Sequence, residues 1–173
     1  MGSFSPGPIY NTLIAHIKAQ RNQKVIVTAS SGIAALILHD GHTAHSRFRI
    51  PVPCNSESTC NITATSELAQ TITEANIIIW DEAPMHHRHT FEAVDRTLRD
   101  ILENEDIFGG KIMVFGGDFR QVLPVVVRGT QGQIENACLK NSYIWESVET
   151  LRLTQNIRVL QDPANLSFVQ FLL

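Results

Sequence analysis

The sequence predicts an α/β fold: an open, mainly parallel sheet with helices on both faces. Three observations carry this. The runs V-I-V at 25–27, I-I-I-W at 77–80 and I-M-V-F at 112–115 are apolar throughout, as strands covered on both faces are. Stretches with helical spacing separate them, and that alternation marks strand–helix–strand units. Two of the runs end in turns rich in acid or glycine, Asp81-Glu82 and Gly116-Gly117-Asp118. In open α/β sheets, ligands bind beyond the carboxyl ends of the strands.

Taken in order, Pro8 stands near the start of a helix on which Leu13, Ile14 and Ile17 share a face. Polar residues 20–24 end it, and strand 25–27 follows. Ser30-Ser31-Gly32 turns the chain into a helix over 33–38. Residues 39–53, with a glycine, two prolines and alternating basic and apolar positions, are expected to form a long functional loop with one short strand. Residues 55–65 are rich in Ser, Thr and Asn and are expected to be the most mobile segment. A short helix over 67–74 leads to strand 77–80. Phe91, Val94, Leu98, Ile101 and Leu102 follow helical spacing after Thr90, the expected N-cap. Gly109-Gly110 breaks the chain before strand 112–115. Residues 128–141 show no clear period. Residues 145–153 predict a helical turn and a strand, and the last ten residues a helix. No internal repeat or low-complexity tract interrupts this.

A length of 173 residues suits one domain with a sizeable core. The apolar fraction of 43% and charged fraction of 18% describe a soluble globular chain. Net charge is −3, so any nucleic-acid site must be local rather than a basic surface as a whole. No apolar run is long enough to span a bilayer, and the first residues lack the basic and hydrophobic regions of a signal peptide. Cys54, Cys60 and Cys138 are odd in number and form no C-x-x-C pair, so neither a disulfide framework nor a structural zinc site is expected.

Adjacent carboxylates at a strand end suit two tasks, holding magnesium and taking a proton from an attacking water. A strand closing in a solvated acidic turn would read the same way. At 116–121 the glycines allow close backbone approach to a ligand, and Gln121 can both donate and accept hydrogen bonds, which suits sensing a phosphate or orienting water. A tight turn with an Asp cap is the alternative. Arg158 shortly follows the 151–153 run and offers a charged donor fork matched to phosphate, as a solvated surface arginine also would. Residues 28–51 hold hydroxyls, histidines, two arginines and Phe48, a set able to contact phosphates and stack on one base, or simply to form a solvated loop. His86, His87 and His89 do not match a zinc spacing and are expected to be exposed loop histidines.

The segments SSGIAAL at 30–36, TAHSRF at 43–48, WDEAPM at 80–85, residues 116–124 and LTQNIR at 153–158 occur in one order. Together they closely resemble the petite-integration-frequency (Pif-type) DNA helicases, including copies carried by Helitron-like transposons, over residues 10–173. The resemblance implies the first RecA-like domain of a superfamily-one helicase: a P-loop NTPase-type sheet over 1–173, with the second RecA-like domain absent. It implies ATP and Mg²⁺ as cofactors, with Asp81 on magnesium, Glu82 activating the hydrolytic water, and Gln121 and Arg158 on the γ-phosphate beside Gly117 and Asp118. It implies contact with single-stranded DNA or DNA junctions through Thr28, Ser30, Ser31, Thr43, His45, Ser46, Arg47 and Phe48. It also implies 5′-to-3′ movement, a part in repair, recombination or telomere maintenance, and an intracellular setting, nuclear first and mitochondrial second, without a membrane partner.

One departure stands out. The family's phosphate-binding loop, G-x-x-x-x-G-K-[ST], precedes the helix that here holds Tyr10, yet residues 2–8 read G-S-F-S-P-G-P. No lysine is there to reach the phosphates, and Pro6 and Pro8 remove backbone donors. The chain is therefore expected to hydrolyse ATP weakly or not at all. Two other readings fit the residues: a non-catalytic remnant, transposon-derived, that binds single-stranded DNA or a partner, and another nucleotide-driven switch built on the same sheet.

Overall fold

The computed structural model describes residues 7–19, 23–119 and 123–153. Residues 7–146 belong to one compact unit and residues 147–153 to another. In the first, α1 (Gly7–Ala19), β1 (Val25–Ala29), α2 (Gly32–Ile37), β2 (His42–Thr43), α3 (Ala44–Phe48), α4 (Glu67–Glu74), β3 (Ile77–Asp81), α5 (Arg88–Leu102), β4 (Ile112–Phe115) and α6 (Gln131–Ala137) follow in order. Four parallel strands form a sheet in the order β2-β1-β3-β4.

Alternation along the strands divides the core in two. Val27, Ala29 and Ile79 face α1 and α2, where they pack with Tyr10, Ile14, Ala34, Ala35 and Leu38. On the opposite face Trp80, fully buried, stacks on Phe48 of α3 at 5.7 Å and meets Phe91 of α5 at 4.5 Å. Phe91 in turn meets Phe115 edge-on at 5.5 Å. Helices thus cover both faces, as predicted. Because the strands are parallel and Ala29 pairs with both Thr43 and Asp81, all four end along one edge.

The departures are local. Residues 44–48 form α3, capped by Thr43, where only a loop and a short strand were expected. Residues 131–137 form α6, started by a capping box in which Thr130 and Gln133 satisfy each other's backbone donors. Helix α5 starts two residues before the expected cap: His87 accepts from the His89 N–H, and Thr90 lies buried inside the helix. Segment 55–65 is stitched down rather than loose. Cys60 donates its N–H to Thr97 Oγ1 at 2.8 Å, Asn61 donates to the Arg49 carbonyl at 3.0 Å, and Arg96 holds the Ser58 carbonyl. A 3₁₀ turn at Tyr143–Ser147 matches the expected helical turn, but residues 151–153 form no strand. The expected C-terminal helix lies outside the described residues.

Candidate nucleotide and single-strand site

Strand β3 delivers Asp81 and Glu82 to the common edge. Asp81 closes the strand almost fully buried, with Oδ1 accepting the Glu82 N–H at 2.9 Å. Burial raises its pKa above the ordinary carboxylate value, since a charge there is poorly solvated. Glu82 takes a left-handed conformation (φ 53°, ψ 35°), which turns the chain sharply out of the sheet into the 3₁₀ turn Ala83–Met85. Its pKa is raised too, by burial first and then by the neighbouring charges of Asp81 and Asp118.

The exit of β4 is laced to this turn. Gly116 donates its N–H to the Trp80 carbonyl at 2.9 Å, and the Ala83 N–H donates to the Gly116 carbonyl at 2.8 Å. Gly117 has φ 143°, and a Cβ added there would lie 2.3 Å from Pro84 Cδ, so glycine is required on two counts. Asp118 and Glu82 are near enough to interact electrostatically. Asp81, Glu82, Gly117 and Asp118 therefore form one acidic strand-end site. Gln121 and Arg158, expected on the γ-phosphate, lie outside the described residues.

Tyr10 joins this site without having been expected to. Its buried hydroxyl has a raised pKa, through burial first and then the Asp81 and Glu82 charges. A lone tyrosine in a helix carries no sequence signal of such a position.

Residues expected to meet a single strand divide into four pairs. Thr28 is fully buried and donates its hydroxyl to the Ile79 carbonyl at 2.9 Å; Phe48 is fully buried against Trp80. Neither offers surface to a strand: the first ties two strands together, and the second is core. Ser31 and Thr43 cap α2 and α3, accepting from Ala34 N and Ser46 N, which leaves their hydroxyl protons to be donated. Ser46 is exposed, and Arg47, half-buried, donates to His42 Nδ1 at 3.0 Å. Ser30 and His45 are half-buried beside His86.

The three histidines at 86–89 are half-buried, not exposed. His86 packs against Trp80, Phe91 and His45, and burial lowers its pKa to about 4. Among the described residues, no three His, Cys, Asp or Glu side chains are grouped to hold a metal. Asp81 alone suits a magnesium ion that brings its remaining ligands as water and phosphate oxygens, which is how this ion is usually held.

A family model described as PIF1-like helicase matches residues 7–169, most of the chain. The chain belongs to the PIF1-like helicase family. It is 31% identical over 147 residues to the ATP-dependent DNA helicase Pif1 of Psychrobacter sp., covering 83% of this chain and 22% of that protein. Solved structures share the fold. The Pif1 helicase of Candida albicans superimposes with a TM-score of 0.76 at 23% identity, covering 96% of this chain and 37% of that one. Bacteroides Pif1 bound to single-stranded DNA gives 0.68 at 24% identity, covering 94% and 40%. The fold is thus that of the RecA-like Pif1 helicase domains, and the chain spans about a fifth of the length of the curated relatives it matches.

Proposed function

We propose that this PIF1-like chain is the nucleotide- and single-strand-engaging core of an ATP-dependent DNA helicase, and that by itself it hydrolyses ATP weakly or not at all. The observation that carries the reading is the pairing of Asp81 with Glu82 at the end of a buried parallel strand, laced to the glycine turn after β4. Asp81 would hold magnesium, which supplies charge neutralisation at the phosphates when bound. Glu82, turned out of the sheet and with a raised pKa, is suited to take a proton from water at neutral pH. Gln121 and Arg158 complete the proposal from sequence alone. Ser31, Thr43, Ser46 and Arg47 supply donors for a phosphate backbone at the β1–β2 end of the same edge. The Bacteroides Pif1 of the same fold was solved bound to single-stranded DNA, which supports single-strand engagement in general. In the parent protein, movement would run 5′ to 3′, in repair, recombination or telomere maintenance.

The test compares ATP turnover by the chain with and without oligonucleotide, beside Glu82→Gln. Little or no turnover together with single-strand binding is expected. Sustained turnover that Glu82→Gln abolishes would overturn the weak-activity part.

A second reading, a non-catalytic single-strand- or partner-binding remnant, is favoured by the lack of any G-x-x-x-x-G-K-[ST] in the 173 residues. It predicts single-strand affinity indifferent to Mg²⁺-ATP, even after a phosphate loop is supplied.

A further inference from the structure

The acidic turn and the proposed single-strand segment are joined through His86, a side chain that neither role uses. The turn beginning at Glu82 ends at His86, whose N–H donates to the Ala83 carbonyl at 3.1 Å. His86 Nδ1 stands 3.3 Å from Ser30 Oγ. The same Ser30 oxygen accepts the Trp80 indole N–H at 3.1 Å, and the Ser30 backbone N–H donates to the Asp81 carbonyl at 2.9 Å. On its other side the His86 ring meets His45 edge-on at 4.8 Å.

An indole N–H can only donate, so the Ser30 oxygen accepts from Trp80; with one lone pair and one proton left, it can meet His86 Nδ1 in either tautomer. His45 sits in the first turn of α3, next to Ser46 and Arg47. Trp80 and Phe91 pack the His86 ring, so it has little room to move without its neighbours.

We propose that His86 is a positioning residue coupling the Glu82 turn to the single-strand face. A strand bound at α3 then alters the surroundings of Glu82, and a ligand at Glu82 alters α3, because coupling between two sites is reciprocal. The inference rests on the reading of Thr43, Ser46 and Arg47 as a single-strand contact. The coupling is read directly as a response at one site to a ligand at the other.

Backbone amide NMR of the full chain, titrated to saturation with oligo-dT, does this. Expected are shifts at His45, Ser46 and Arg47 accompanied by shifts at Glu82 and Ala83. In His86→Leu the first set persists and the second is lost. His86→Asn, whose side-chain amide reaches the place of Nδ1, restores the second set, which a purely space-filling role would not require. Should His86→Leu fail to fold, Ser30→Ala removes the hydroxyl that meets His86 and is expected to give the same loss. Glu82 shifts that survive in the folded variant overturn the coupling. Absence of any α3 shift in the unmodified chain overturns the single-strand reading itself, and the coupling with it.

Discussion

The Tyr10 hydroxyl occupies the space that a side chain on Gly116 would need: an added Cβ there would lie 1.4 Å from it. Helix α1 is thereby keyed into the exit of β4, beside Asp81 and Glu82. Gly116→Ala must push Tyr10 out of a tightly packed core, and overpacking of this kind costs about 1–3 kcal/mol. Chemical denaturation should show that loss. Tyr10→Phe in the same chain should recover part of it, because the hydroxyl is the nearest obstacle and the ring carbon behind it lies 2.6 Å away. A double variant as unstable as the sum of the two singles would contradict this contact.

Asp95 is a second fixed point. Fully buried in α5, it accepts from the Phe108 N–H at 2.5 Å, the Tyr143 hydroxyl at 2.6 Å and Arg99 Nε at 3.0 Å. Asp95→Ala leaves a buried amide and a phenol without their acceptor, a change that costs about 2–4 kcal/mol. The urea midpoint should fall accordingly, and Asp95→Asn should lose less, since its carbonyl still accepts.

His86 makes stability depend on pH. Its pKa falls from 6.5 to about 4 in the fold, so between those values the unfolded chain binds more protons than the folded one. Its contribution is therefore complete above pH 6.5, is lost as pH falls towards 4, and changes no further below that. The ceiling, from about 1.36 kcal/mol per pKa unit, is about 3 kcal/mol. Asp81 and Glu82 shift in the opposite sense. The difference between the unmodified chain and His86→Asn, followed from pH 7 to pH 4, isolates the histidine. A constant difference across that range would refute the assignment.

Thr28 separates a structural role from a binding one. Thr28→Val keeps the shape and deletes the hydrogen bond to Ile79, leaving one buried carbonyl short of a donor, at a cost of about 1 kcal/mol. Oligonucleotide affinity by fluorescence anisotropy should not change. A fall in affinity at unchanged stability would return Thr28 to the single-strand face.

What was legible in the sequence depended on how much of each signal is local. Strands β3 and β4 and helix α4 were readable because β-branched runs and helical periods are carried by neighbouring residues. The acidic strand end was legible for the same reason: Asp81-Glu82 follows the strand directly. Helix α3 has only five residues, too few to display a period, and α6 announced itself only through Thr130 and Gln133. His87 is an uncommon N-cap, and by residue type Thr90 is the stronger candidate. The burial of Phe48, Thr28, His86 and Tyr10 carries no local signal, because their surroundings come from distant parts of the chain. An aromatic that could stack on a base and one that stacks on Trp80 look identical in one dimension.

The proposed nucleotide role of the Asp81–Glu82 strand end stands or falls on Mg²⁺-ATP affinity, measured by titration calorimetry for the chain as it stands and for one carrying a G-x-x-x-x-G-K-[ST] loop and a strand ahead of α1. Binding is expected only in the second, and is expected to vanish there when Asp81 is replaced by Ala. Tight binding by the unaltered chain, or none by either, would refute that role.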